Sequence, residues 1–497
     1  MRLKGRRGDE PRGEKSAEVV VVGRDDDEGP NDEESATDVN LGSKRPQTPR
    51  PGGGSPAGSQ MKSATGSAGS EEARPARQDT GCLGASDLME RVLTRPNLQA
   101  ALKRVRMNKG SPGIDRMTVG ELPKYLKEHW PALREQLLAG RYQPQAVRRH
   151  AIPKSSGGAR ELGIPTVLDR FIQQAVLQVL QPSVDPSFSQ HSYGFRPGRR
   201  AHQAILAAQA FIQDGRRWVV DVDLKNFFDR VNHDVLMGKL AKRMTDPRVL
   251  GLIRRYLEAG LMVHGVVVER YEGTPQGGPL SPLLANVLLD EVDQELERRG
   301  HAFVRYADDC NVYVRSRRAG ERVMRLLRGR YAKLRLHINE SKSAVAGVRG
   351  RKLLGYTFWF APDGTVKRAV AAKALGAMKE RVRRITRRSA GRSIGQVVGE
   401  LREYLVGWRA YFRLAETPRV LADLDGWLRH RLRALHLKHW KRGRVIYREL
   451  RARGLSEQHA AIVAGNGRRW WHNSSLLLNR ALPPRYFDQL GVPRLAA

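Results

Sequence analysis

Apolar side chains recur at helical spacing from Ser86 onward, first Leu88, Val92 and Leu93, then Leu98, Leu102 and Val105. That spacing lays one apolar stripe along a helix, and the stripe stops at Asn108, Gly110 and Pro112, where turn-forming residues take over. Residues 120–140 carry a second helical pattern, and residues 166–181, TVLDRFIQQAVLQVLQ, a strongly amphipathic one. Short apolar runs of strand length follow at 218–222, 263–268, 303–306 and 311–314, with helical stretches between them. This alternation predicts an α+β fold and lacks the fixed period of a repeat array. Past about residue 361 the strand signals fade, and 373–388, 393–413 and 417–440 read as helices.

The first 80 residues break the pattern. They are rich in Gly, Pro, Ser, Asp, Glu and Arg, include the run PRPGGGSPAGS, and hold almost no aromatic side chain. Such a stretch buries too little apolar area to offset the entropy of ordering, so residues 1–80 are expected to form a disordered N-terminal tail. Met61 and Met89 stand as later candidate initiators.

Charge sharpens the picture. The chain has 88 Lys+Arg against 52 Asp+Glu, a formal +36, while the tail with 13 basic and 15 acidic residues is net −2; the remainder therefore carries +38. Such a surplus points to a polyanionic partner. The plainer alternative is a surface that merely resists aggregation. Residues 361–497 hold 29 basic and 10 acidic residues, a net of +19, with Trp408, Tyr411, Phe412, Trp427, Trp440, Trp470 and Trp471 interleaved. Those rings read either as stacking platforms for bases or as the core of a small helical domain. With only Cys82 and Cys310, no disulfide framework or paired-cysteine zinc site can be built, which fits a reducing, cytoplasmic setting. No apolar run reaches the ~18 residues a membrane helix needs, and the start has no signal-peptide core, so no membrane partner is expected.

Two acidic segments carry the chemistry. Phe303–Val314 reads as strand, tight turn, strand, with Asp308 and Asp309 at the turn. Trp218–Asp229 ends an apolar strand in carboxylates, and a period of two puts Asp221 and Asp223 on one side of it. Adjacent Asp pairs are usually just solvated turns. Carboxylates from two strand ends, however, make a hard oxygen site suited to two Mg²⁺ ions, with Mn²⁺ as a substitute. Two such ions ~4 Å apart can activate a 3′-hydroxyl and stabilise leaving pyrophosphate, which is nucleotidyl transfer.

Eight segments then stand in one order. They are NKGSPGID (108–115), IPKSSGGARELGIP (152–165), SYGFRPGRRAH (192–202), DLKNFFD (223–229), GTPQGGPLSPLLANVLLDEVD (273–293), YADD (306–309), HINESKS (337–343) and LLGYTF (353–358). Together they resemble the reverse transcriptases. The following KERVRRITRRS and LREYLVGWRAYFR stretches resemble the maturase segment of group II intron proteins. The resemblance implies a right-hand polymerase, with fingers and an antiparallel palm sheet over 86–360 and an α-helical thumb and maturase domain over 361–460. A C-terminal extension over 461–497 would follow, similar at NRALPPRYFDQLGVPRL to members that lack an endonuclease domain.

Carried over by motif, the resemblance implies Asp223, Asp308 and Asp309 as catalytic metal ligands, with Asp221 and Asp229 in support. Lys154 and Arg160 match residues that grip the incoming triphosphate, a point charge and a bidentate fork. Phe228 matches the aromatic gate that excludes a 2′-hydroxyl, with core packing beside Phe227 as the alternative. Gln276 and Gly277 match the turn lining the nucleotide pocket, Lys342 a lysine able to protonate pyrophosphate, and Leu354, Gly355 and Tyr356 the turn that grips the primer. Arg383, Arg384, Arg387, Arg388, Trp408, Arg409 and Tyr411 are the candidates for RNA binding. The implied partners are intron RNA as template, a DNA primer or target, and dNTPs, with Mg²⁺ as cofactor. Two other readings stay open, a splicing cofactor with an idle polymerase and a reverse transcriptase of a defence or diversity-generating system.

Overall fold

The computed structural model describes residues 87–153, 159–263, 266–275, 277–388, 391–466, 469–474 and 477–496. The expected disordered tail, and with it Cys82, lies outside the described residues. In chain order the first strands are β1 (Val147–Pro153), β2 (Ala159–Ile164), β3 (Trp218–Val222), β4 (Leu261–Val263) and β5 (Val266–Val268). Then come β6 (Ala302–Tyr306), β7 (Asp309–Val314), β8 (Ala344–Gly347), β9 (Lys352–Leu353), β10 (Tyr356–Phe360) and β11 (Val366–Val370).

They form three sheets, ordered β2-β1-β4-β5, β6-β7-β3-β8 and β11-β10-β9. The second is fully antiparallel, as expected of a palm. Side chains alternate across it. Val220, Val222, Phe303, Cys310 and Val312 enter one core with the helices Val167–Val184, Ser281–Arg298 and Arg317–Lys333. On the opposite face Val219, Val304 and Tyr313 join a second core, shared with the helix Ala201–Gln213 and the C-terminal helices.

The first helical pattern is split into Leu88–Val92 and Arg95–Asn108, because Pro96 belongs in a first turn and cannot donate inside a helix. The helix Val167–Val184 starts at Thr166, whose hydroxyl accepts from the Asp169 amide at 3.0 Å. Asp169 in turn accepts from the hydroxyls of Tyr142 at 2.8 Å and Thr166 at 2.7 Å, while burial pushes its carboxyl up to about 6. This ties the approach to β1 onto the helix, and so seats the β1–β2 hairpin.

The expected turnover from strand to helix at 361 comes one hairpin later. β10 pairs with β11 from Tyr356↔Val370 to Phe360↔Val366, because Asp363-Gly364 makes the connecting turn and Gly364 takes φ +82°. Beyond it Ala372–Ile385, Ile394–Tyr411 and Pro418–Trp440 are helical. The last two expected helices agree with these to within two residues, and the first ends three residues short of 388. Residues 477–495 are not a separate appendage: Leu478, Leu482 and Phe487 are fully buried in the thumb-side core. Asp425 accepts from the Leu495 amide and Arg429 bridges Asp425 and Asp488.

Candidate active site

β3 and β7 bring the acidic segments together. Their register runs from Trp218↔Val314 to Val222↔Cys310, so Asp223 and Asp309 each stand one residue past the last pair, side by side at the strand ends. Alternation puts Asp221, Asp223 and Asp309 on one face, since Val220, Val222 and Cys310 point into the core on the other. Asp308 sits in the two-residue turn between Tyr306 and Asp309.

The backbone of Asp223 is held on both sides. Its amide donates to Ser343 Oγ at 3.0 Å, and its carbonyl accepts from the Asn339 amide at 2.8 Å. This brings the HINESKS segment onto the site and sets Lys342 Nζ 3.7 Å from Asp223 Oδ2. Asp221 is braced separately, accepting from Asn311 Nδ2 at 3.0 Å and pairing with Arg351 at 3.4 Å.

The carboxylates repel. Asp309 keeps contact with solvent, yet partial burial, followed by the charges of Asp308, Asp223 and Asp221, pushes its carboxyl up to about 7. A donor set of this kind is one a divalent cation would relieve. Among the described residues no three His, Cys, Asp or Glu side chains are gathered closely enough to hold a metal ion by themselves.

Of the nucleotide-side candidates, Lys154 and Gln276 lie outside the described residues. Arg160 is on β2 opposite Ile152, and only its backbone is described. Gly277 takes φ +138°, and a Cβ there would come within 2.8 Å of the Gly163 carbonyl, so glycine lets the turn lie against β2. Phe228 is buried, with its ring edge-on to Phe227 at 5.0 Å, and its carbonyl accepts from the Thr274 amide at 2.7 Å. Leu354 and Gly355 both have positive φ, and Tyr411 Oη donates to the Leu354 carbonyl at 2.9 Å.

The RNA-binding candidates divide. Trp408 is a core residue, packed 4.7 Å from Phe412, and Tyr411 is half-buried against the Leu354 turn, so neither ring stands out as a stacking platform. Arg409 is half-exposed beside them, lining a 240 Å³ hollow with Trp408 and Phe412. Arg383, Arg384 and Arg387 are exposed, and Arg388 lies 3.2 Å over the Trp470 ring. Trp427 is flanked by Lys379, Arg383 and Arg431 within 6.0 Å. Burial, and after it the neighbouring Arg383 and Arg388, push Arg431 down to about 10.

Sequence reasoning missed Ser343 and Asn339 as anchors of Asp223, and the Arg431–Trp427–Trp470 grouping. The first lay within a recognised segment and could have been read there. In the second, Trp427 and Arg431 lie four residues apart on one helix, and only the fold brings Arg383 and Arg388 to them and Trp470 to Arg388.

Residues 152–358 match the family model for reverse transcriptase (RNA-dependent DNA polymerase), and residues 375–454 match that for the group II intron maturase-specific domain. Over 216 residues the chain is 39% identical to Protein YkfC of Escherichia coli K12, covering 42% of this chain and 57% of that protein. It is 37% identical over 209 residues to the group II intron-encoded protein LtrA of Lactococcus lactis subsp. cremoris, covering 41% and 34%. Among solved structures it is similar to a chain of a partial Cas6-RT-Cas1-Cas2 complex, at 25% identity and a TM-score of 0.33, over 49% of this chain and 42% of that one. The chain thus spans 57% and 34% of the length of the two curated relatives. Among the described residues no helix is long and apolar enough to cross a membrane.

Proposed function

We propose that this chain, a reverse transcriptase and group II intron maturase by its two matched domains, is an RNA-directed DNA polymerase that copies its intron RNA from a DNA primer and also binds that RNA to assist splicing. The single observation that carries the reading is the convergence of Asp223 and Asp309 at neighbouring strand ends, with Asp308 in the adjoining turn. Asp223, Asp308 and Asp309 would hold two Mg²⁺ ions, for which Mn²⁺ could substitute. Such ions supply charge neutralisation to the attacking 3′-hydroxyl and the leaving pyrophosphate.

The remaining steps belong to the chain's own side chains. Lys342, beside Asp223, is a proton donor for pyrophosphate. Lys154 and Arg160 grip the triphosphate, Gln276 and Gly277 line the nucleotide pocket, and the Leu354–Gly355 turn steadies the primer. The exposed Arg383, Arg384 and Arg387, with Arg388, meet the phosphates of the intron RNA. The proposed setting is the cytoplasm.

Purified full-length protein should extend a DNA primer on an RNA template with dNTPs and Mg²⁺, and chelation should stop it. Failure to extend in either Mg²⁺ or Mn²⁺ would remove the polymerase reading.

Phe228 gives a separate test. As the gate against a 2′-hydroxyl, Phe228→Ala should raise ribonucleotide incorporation about tenfold or more relative to deoxyribonucleotide. Because the ring is buried, the same change should also lower stability by ~3 to 5 kcal/mol. Loss of stability with unchanged sugar discrimination, read by competitive single-nucleotide extension, would leave Phe228 as a core residue only.

A further inference from the structure

The turn that presents Asp308 and Asp309 is held from beneath by one guanidinium. Arg305 on β6 is fully buried and uses all five of its N–H groups. Nε donates to Asp293 at 2.8 Å, and Nη2 donates to Asp293 Oδ2 at 2.6 Å and Ser192 Oγ at 2.7 Å. Nη1 donates to Asn286 Oδ1 at 2.9 Å and to the Ala307 carbonyl at 2.8 Å. Asp293 is as deeply buried as its partner.

A buried ion pair of this kind is weak evidence for stability, because apolar residues of the same volume often serve as well. What an apolar pair cannot do is aim a donor at a chosen carbonyl. Ala307 needs such a donor, since it holds φ +57°, a region that residues with a Cβ seldom occupy. Its amide is closed off as well: a Cβ on Gly194 would fall 2.2 Å from the Ala307 nitrogen. Gly194 is kept there by Asn286, whose Nδ2 donates to the Gly194 carbonyl at 3.0 Å. Asn286 therefore joins the two clamps, one arm on Arg305 and the other on Gly194. The next two residues are the carboxylates Asp308 and Asp309, whose mutual repulsion works to open the turn.

We propose that Arg305, with Asn286 and Asp293, is the positioning residue of the catalytic turn: it sets the Ala307 carbonyl and so the aim of Asp308 and Asp309 toward the metal. The inference rests on the polymerase reading and adds to it a residue that touches neither substrate nor metal. Arginine is required because lysine, with three donors on one compact ammonium, cannot reach Asp293, Asn286, Ser192 and Ala307 together.

The test compares Arg305→Lys with Arg196→Lys in the full chain. Arg196 is an equally forked, buried guanidinium that bonds Asp185 and the carbonyls of Ser189 and Ser192 but does not touch the turn. Single-nucleotide extension is measured against Mg²⁺ and dNTP concentration, alongside the Kd for primer–template. Arg305→Lys should lower kcat about 100-fold and raise the half-saturating Mg²⁺ concentration about tenfold, with the dNTP KM and primer–template Kd within about threefold of the parent. Arg196→Lys should leave the Mg²⁺ midpoint unmoved. A merely structural role predicts fewer active molecules with an unshifted midpoint.

A folded Arg305→Lys protein with the parent's kcat and Mg²⁺ midpoint would overturn the proposal, as would an equal shift in Arg196→Lys. Where Arg305→Lys does not fold, Asn286→Asp keeps the acceptor for Arg305 but cannot donate to Gly194; it too should raise the midpoint, and a parental value would count against the clamp. A parent chain that extends no primer sinks the polymerase reading and this role together, whereas an active parent with an indifferent Arg305→Lys sinks only the role.

Discussion

Asp308→Ala and Asp309→Ala should each abolish RNA-templated primer extension, lowering kcat at least about 1000-fold, or roughly 4 kcal/mol of barrier. Each change deletes a ligand from a site whose three carboxylates stand on neighbouring strand ends and an adjoining turn. Neither should unfold the protein, because Asp308 lies in a turn and Asp309 reaches solvent beside it. Relief of repulsion around Asp309, whose carboxyl is pushed up to about 7, should if anything favour the folded state. Affinity for RNA should stay within about threefold, since in a chain of formal +36 one fewer negative charge cannot weaken attraction for phosphate. The measurement pairs extension rates with a binding isotherm on the same RNA. Extension at the parental rate by either variant would remove these aspartates from the chemistry.

The second large effect is on binding. Reversing the charges at Arg383, Arg384, Arg387 and Arg388 to Glu should weaken intron RNA binding by about 100-fold or more near physiological salt. The slope of log K against log salt should flatten by about 0.7 to 0.9 for each phosphate that is no longer neutralised. The physical ground is that Arg383 and Arg388 lie over the Trp427 and Trp470 rings and act on the neighbouring Arg431, so that several cations are gathered on one part of the helical domain. Core packing in this domain comes from Val382, Ile385, Leu401, Leu405, Leu428 and Leu432, which the reversals leave alone, so thermal stability should change little. Polymerase activity on a short, pre-annealed primer–template at low salt should survive better than binding of the long structured RNA. Unchanged affinity together with an unchanged slope would mean that these helices present a solvated face.

Much of this was legible along the chain because the information is local. A period of two assigns Asp221 and Asp223 to one side of a strand, and the structure keeps them there, opposite Val220 and Val222. The helices over 394–411 and 418–440 declare themselves by apolar spacing and by the Ser393–Gln396 capping box and Pro418 at their starts. Glycine at 277 announces a close backbone approach whatever it approaches.

What tertiary structure alone decided is everything that depends on a partner distant in sequence. Trp408 and Tyr411 sit among basic residues and look like stacking platforms, but the Phe412 ring, the Leu354 carbonyl and the thumb-side core claim them first. β11 was hidden because Val366 and Val370 are separated by Lys367, Arg368 and Ala369 without a clean apolar alternation, and the segment becomes a strand when β10 pairs beside it. Arg305 reads as one more cation in a basic chain. Only the fold brings Asp293 from 12, Asn286 from 19 and Ser192 from 113 residues away to meet all its donors and leave one for Ala307. A guanidinium's pull is short-ranged and directional, so its role is written in the acceptors around it rather than in its neighbours along the chain.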